Sequence, residues 1–222
     1  MKIELAPVLN LLRRAPAATL ATQSLQMPGY PFATVVANVL DEGHRPILLV
    51  SALAEHTKNL LADPRVSLSV SESLADQVQE GQRLTLVGDA EPFEPGPALQ
   101  ARYLRYVPAA EQYLALDFLF FRIHPKRVRY IGGVGRMGWI EADDFATAAT
   151  LAPETEAGLL AEAQALAPAH VRLLGIDAYG IDYSANGIRD RATVDAGNLG
   201  ETVRARVPQL GAKQQDLPTE RG

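Results

Sequence analysis

Residues 51–64, SALAEHTKNLLADP, are the best candidate in this chain for binding chemistry. The run reads strand, turn, helix. A helix N-terminus presents unpaired backbone N–H groups and a positive dipole end, and both suit a phosphate or a carboxylate. Ser51 adds a hydroxyl donor there, and His56, Thr57 and Lys58 add a cation and further donors. His56 and Asn59 are spaced i, i+3 and so share one helical face. The rival reading is a polar helix start on the surface with Leu60 packed inside. Spacing alone leaves both open. Arg83 opens the run RLTLVG. At a barrel mouth its charge needs an anion, because a buried unpaired charge is expensive; an ordinary strand-end salt bridge serves equally well. Tyr103, Tyr106, Tyr113 and Trp139 could stack on a flat ring system. At helical spacing, Tyr103 and Tyr106 are more simply core or interface residues.

Other chemistries find little support. The histidines His44, His56, His124 and His170 show no i, i+4 pair, so no metal site is expected, and each is more simply a surface or hydrogen-bonded residue. There is no cysteine, which excludes thiolate nucleophiles, cysteine-ligated zinc and iron–sulfur clusters. No G-x-S-x-G elbow is present. Gly132-Gly133-Val134-Gly135 lacks the G-x-G-x-x-G spacing and reads as a tight strand connection. The net charge of -5 disfavours nucleic acid. The cationic clusters Lys126, Arg127, Arg129 and Arg102, Arg105 are short, and a solvated surface explains each. No apolar run reaches the length of roughly 18 residues that spans a membrane. The first residues, MKIELAPVLNLLRR, do not read as a secretory signal. The expectation is a cytoplasmic protein that binds neither membrane nor nucleic acid.

The elements that must position these residues are mostly strands. Apolar residues from Ile3 to Leu12 fall at helical spacing, and Pro16 ends that helix. Strands are expected over Ala17–Thr22, Phe32–Leu40, Pro46–Ser51, Arg65–Ser71, Arg83–Phe93, Phe118–Ile131 and Val134–Ile140. Phe32–Leu40 and Pro46–Ser51 read as a hairpin. Gly88 marks a bulge or a close approach. Short helices are expected over Leu53–Ala62 and within 95–115. About six or seven strands with few helices between them make a closed antiparallel sheet, not a run of βαβ units. After Ile140 the composition shifts to Ala and Glu. A linker and helix, short strands at Val171–Leu174, Ile181–Tyr183 and Ile188–Val194, and a closing helix in 196–210 read as a small α+β module. The expected organisation is a barrel domain over 1–145, the small domain over 146–210 and a flexible tail over 211–222.

Residues 31–70 carry a resemblance. Ser51, Leu53, Ala54, His56, Thr57, Asn59, Leu60, Asp63, Pro64, Arg65, Ser67 and Leu68 fit the pattern S-x-L-A-x-H-T-x-N-L-x-x-D-P-R-x-S-L. That stretch resembles the pyridoxamine-5′-phosphate-oxidase-like split barrels, and more narrowly their haem-iron-utilisation branch. Arg83-Leu84-Thr85, Gly88, Asp117-Phe118, the Gly132–Gly135 run and Trp139-Ile140 match later marks of the same branch. The resemblance covers about residues 8–140. It implies a split β-barrel that dimerises broadly, with FMN in a groove between subunits in flavin-binding members. It also implies that Ser51, His56, Thr57 and Asn59 lie at the phosphate end, with Lys58 as a helper, and that Thr34 and Val35 lie near the ring; Arg83 joins them as a cofactor-binding candidate. Many flavin-binding members place arginine or lysine where this chain has His56.

The stretch Leu174–Asp182, LGIDAYGID, resembles the G-I-D-x-x-G-I-D stretch of the small C-terminal domain attached to these barrels. The H-M-N-x-D-H-like segment usual upstream of it is replaced by GLLAEAQALAPAH, which leaves His170. Three functions follow. The first is an FMN-binding oxidoreductase, with the flavin doing the redox chemistry. The second is haem binding, with or without haem breakdown, in which His170 is the candidate ligand and His56 or His124 the fallbacks. The third is a non-enzymatic dimeric binding module whose groove is filled by Tyr103, Tyr106 and Phe121.

Overall fold

Strict alternation of apolar and polar side chains decides how the larger part of the chain folds. The computed structural model describes residues 3–72, 81–133, 135–194 and 198–212. The chain divides into two compact units, Met1–Thr150 and Leu151–Gly222. The first unit runs through helix α1 (Leu5–Arg14), strands β1 (Ala17–Gln23), β2 (Pro31–Ala37), β3 (Val39–Leu40) and β4 (Pro46–Ser51), and helix α2 (Glu55–Ala62). Strands β5 (Arg65–Ser71) and β6 (Arg83–Pro92) follow, then helix α3 (Pro97–Tyr106) with a 3₁₀ turn (Pro108–Tyr113), strands β7 (Phe118–Ile131) and β8 (Met137–Glu141), and helix α4 (Ala142–Ala146).

The strands form one antiparallel sheet in the order β2-β1-β5-β6-β7-β4-β3, with β8 also on β7. The long strand β7 makes the split. One of its edges is taken by β6; the other is shared, with β4 on residues 118–122 and β8 on residues 127–131. On the inner face Leu20, Leu68, Leu84, Leu86 and Val128 are almost fully buried. Helix α1 lies against β5 and β6 and buries Val8, Leu9 and Leu12. This is the split β-barrel that the resemblance implies. Among the described residues no helix is long and apolar enough to cross a membrane.

Several boundaries differ from the sequence reading. The expected strand Phe32–Leu40 is broken at Asn38, and only Val39–Leu40 pairs with β4; β2 pairs with β1 instead. The cause is the Asn38 side chain, which is fully buried and donates to the Leu12 and Ala15 carbonyls at 2.6 and 3.0 Å. It thereby satisfies carbonyls that the end of α1 leaves without helical partners. Removing it strands buried acceptors, so Asn38→Ala is expected to lower the stability of the first unit by about 2 kcal/mol, read in urea from Trp139 fluorescence. The bulge expected at Gly88 is present: a Cβ there would sit 2.3 Å from the His124 carbonyl oxygen, and the β6–β7 register shifts at Val87/Gly88. Strand β8 begins at Met137; Val134, where the expected strand starts, lies outside the described residues.

The second unit packs helix α5 (Pro153–Gln164) and helix α6 (Leu199–Arg206) with three antiparallel strands, β9 (Val171–Asp177), β10 (Gly180–Ala185) and β11 (Ile188–Thr193), in the order β11-β10-β9. Its core holds Leu160, Leu173, Ile176, Ile181, Val203 and Val207. A 3₁₀ turn over Val207–Gln209 follows α6. The start of the closing helix expected from residue 196, and all but residues 211 and 212 of the expected tail, lie outside the described residues.

Candidate functional site

The strand–helix turn at Ser51 is closed largely by its own hydrogen bonds. Thr57 Oγ1 donates to the Ser51 carbonyl at 2.6 Å, and Ala54 N donates to the same oxygen at 3.1 Å. Ser51 Oγ accepts from Leu53 N at 3.3 Å. Thr57 and Asn59 are fully buried. Asn59 Nδ2 donates to Thr22 Oγ1 at 2.9 Å, while its Oδ1 accepts from Leu25 N at 3.0 Å. Thr57 therefore ties α2 to the end of β4, and Asn59 fixes it against β1 and the connection that follows β1. His56 and Asn59, at i and i+3, differ in depth: His56 is only half-buried. Burial lowers the affinity of His56 for its proton, which favours the neutral imidazole. Lys58 is exposed, and no described residue forms an ion pair with it. Glu55 sits in the first helical turn, where its carboxylate suits the dipole and competes with any bound anion.

A second surface is more open. Because residues opposite one another in the ladders share a face, the registers define two rows across the outside of the barrel. One runs Val35, Thr19, Ser69, Thr85, Arg129, Trp139. The other runs Ala33, Ala21, Ser67, Val87, Arg127, Glu141. From β2 to β6 these rows hold only Ala, Ser, Thr and two Val, a floor of small side chains about 14 Å across at the usual strand spacing. Val35 is 72% exposed and Trp139 46%. The guanidinium of Arg127 lies 4.1 Å from the Trp139 ring centre and that of Arg129 5.3 Å. Arg127 also pairs with Glu141 at 2.8 Å, whereas no carboxylate among the described residues pairs with Arg129.

The predicted residues fall into separate places. Ser51, His56, Thr57, Lys58 and Asn59 belong to the turn and α2. Thr34 lies opposite Leu20 on the inner face, and Val35 opposite Thr19 on the outer one. Arg83 pairs with Ile131 at one end of β7, and Ser51 with Phe118 at the other. Thirteen residue steps of strand separate those ends, roughly 40 Å along the chain, so a single chain does not bring Arg83 to the Ser51 turn. Sequence reasoning missed the floor and Arg129. The available signal was the i, i+2 spacing in Ser67, Ser69, Ser71 and in Arg127, Arg129, which puts each set on one face of a strand.

Tyr103 is buried, and its hydroxyl accepts from Leu49 N at 3.3 Å; burial pushes its phenol up to about 12. His124 rims an open groove of about 570 Å³ beside Leu60, Leu61 and Pro92, and lies 3.1 Å from Glu91. His170, half-buried at the start of β9, has its Nε2 enclosed beside Gly211 with no hydrogen-bond partner among the described residues. The G-I-D-x-x-G-I-D stretch has a structural explanation. Asp177 and Asp182 both accept from the buried Arg191, at 2.8 and 2.6 Å. A Cβ at Gly180 would sit 2.6 Å from the same guanidinium.

Comparison with known proteins places this geometry in a family. The non-canonical heme oxygenase HOZ, chloroplastic, of Arabidopsis thaliana is 42% identical over 117 residues, which is 52% of this chain; the match spans 36% of that relative's length. A solved heme binding protein from Mycobacterium smegmatis superposes with a TM-score of 0.60 at 28% identity, over 96% of this chain and 99% of the other. The protein Atu2129 of Agrobacterium tumefaciens superposes with a TM-score of 0.70 at 23% identity, over 92% of this chain and 95% of that one, a likeness of fold. Residues 6–132, more than half of the sequence, match the pyridoxamine 5'-phosphate oxidase family. The chain belongs to the pyridoxamine 5'-phosphate oxidase family.

Proposed function

We propose that this protein binds haem on the outer face of its barrel, between two copies of the chain. One observation carries the reading: a floor of Ala, Ser, Thr and two Val ends at Arg129, which no described carboxylate neutralises. A planar macrocycle with anionic edge groups fits such a floor, because small side chains let a ring lie close to the sheet and a guanidinium pairs well with a carboxylate. Arg127 and Trp139 would flank the ring edge. Bound haem supplies iron-centred redox chemistry; the residues of this chain hold and orient it. Similarity to a heme binding protein and a heme oxygenase supports the same class of ligand. A second copy supports the reading because an exposed floor leaves the other face of a ring in water, and a two-fold pair covers two such floors at once. Arg83 and the Ser51 turn, at opposite ends of β7, would meet a common ligand only through a second protomer.

FMN is the second reading, and family membership favours it. Its phosphate would need the Ser51 turn, where Thr57 and Asn59 are already engaged, Glu55 opposes an anion and His56 tends to neutrality. The purified protein titrated with hemin is therefore expected to develop a shifted Soret band saturating at one haem per chain, and to migrate as a dimer. Added FMN is expected to keep its free fluorescence. No spectral change with hemin, together with quenched flavin fluorescence, would reverse the assignment. His170→Ala tests whether that histidine would bind the iron: an unchanged Soret band removes His170 from that role.

A further inference from the structure

The residue types on the outer face narrow what its floor can recognise. Protein ligands to haem iron are the imidazole of His, the sulfur of Cys or Met and the phenol oxygen of Tyr. Neither outer row, followed from β2 to β8, holds any of these four. In the neighbouring row His124 lies opposite Asp89, with its Nε2 3.1 Å from Glu91. Met137 is exposed, but it belongs to β8 and so stands on the far side of β7 from the floor. His56 belongs to α2, His44 is buried completely, and His170 is part of the second unit.

What the floor offers is area and one charge. A ring whose carboxylate meets Arg129 extends over Thr85 on β6 and Ser69 on β5, about 5 and 10 Å away at the usual strand spacing. The Ser69 hydroxyl donates to the Leu84 carbonyl at 3.2 Å, so it is engaged by the sheet itself. Arg129 is steadied by Trp139, whose ring centre lies 5.3 Å from the guanidinium, since an indole face attracts a cation. Arg127 shares that indole at 4.1 Å but is committed to Glu141 at 2.8 Å. A two-fold partner that covers this floor with its own floor doubles the ring contact and adds no iron ligand.

We propose that the site recognises anionic tetrapyrroles as a class, holding an iron-free porphyrin as well as it holds haem. The inference rests on the outer floor being the haem site. Its contacts are with the macrocycle and its carboxylate edge, so the metal at the centre adds little to the hold. Such a site takes the ring both before a metal is inserted and after.

Titrating the whole chain with hemin and, separately, with iron-free protoporphyrin IX tests this, because each ring has a Soret band that shifts on binding. The single tryptophan, Trp139, lies at the end of the Arg129 row and is 46% exposed, so quenching of its emission gives a second readout in the wild type. The two dissociation constants are expected to agree within about tenfold. Arg129→Gln is expected to weaken both ligands by the same factor, about tenfold. Thr19→Trp, read from the Soret bands, is expected to weaken both at least about a hundredfold. His124→Ala is expected to change neither. A preference for hemin beyond tenfold, or hemin affinity lost in His124→Ala, overturns the inference and leaves the haem site standing. Iron-free porphyrin that still binds Thr19→Trp overturns it too, because the ring then lies elsewhere. Binding of neither ring overturns the haem assignment as well.

Discussion

Arg191→Met is expected to destabilise the second unit by about 3–5 kcal/mol while leaving the barrel unchanged. The Arg191 side chain is wholly buried, and so, almost entirely, are the two carboxylates it bridges, Asp177 and Asp182. Those two acids hold its proton more firmly than usual, outweighing the opposing effect of burial. The arginine therefore stays charged at any pH at which the unit folds. Methionine matches much of its volume and none of its charge, which leaves two carboxylates facing each other without solvent. Both strands that carry them depend on the bridge, since Asp177 ends β9 and Asp182 lies within β10. The single tryptophan, Trp139, belongs to the first unit, so its fluorescence reports the barrel alone. Urea unfolding by Trp139 fluorescence is expected to keep its midpoint, while exchange at β9–β11 amides accelerates by several hundred-fold. A triple change, Arg191→Met with Asp177→Leu and Asp182→Leu, is expected to recover much of the loss, because a buried ion triad replaced by apolar residues of similar size costs little. Unchanged exchange in the single variant would show that the bridge contributes nothing to holding β9 and β10.

The same contrast, between charges with a buried partner and side chains left open, explains what was legible beforehand. RVSLSVS reads as a half-buried strand because period two is a local property, and β5 shows it residue by residue. One of the two partners of β5 is not local: β1 lies more than forty residues away, and no pattern within either strand names the other. The LGIDAYGID stretch was visible as a motif, yet its two aspartates converge on Arg191, which belongs to the next strand and lies outside the motif. At α2 the residue types Thr57 and Asn59 invited a ligand-binding reading, but successive helical residues point about 100° apart. A single residue decides between facing solvent, as Lys58 does, and clamping the chain, as its two neighbours do. The outer floor stayed hidden for the opposite reason. Alternate Ala, Ser and Thr read as plain solvent exposure, and only the assembled ladders reveal that six of them lie side by side.

That floor makes the second large effect specific. Thr19 lies between Val35 and Ser69 in the row that leads to Arg129 and is exposed. Thr19→Trp stands an indole where the macrocycle would lie. Tryptophan favours strands, and no described hydrogen bond is lost, so stability is expected to change by less than about 0.5 kcal/mol. Haem affinity is expected to fall at least about a hundredfold, close to 2.7 kcal/mol, with Thr19→Ser unaffected. Arg129→Gln removes the charge and keeps a donor, and is expected to weaken haem by about tenfold, with a smaller salt dependence. The turn at Ser51 predicts a different pattern. There Lys58→Glu brings a carboxylate beside any bound anion and raises the repulsion already set by Glu55. Affinity lost in Lys58→Glu and kept in Thr19→Trp would move the ligand to that turn, and with it the case for a phosphate-bearing flavin over a porphyrin.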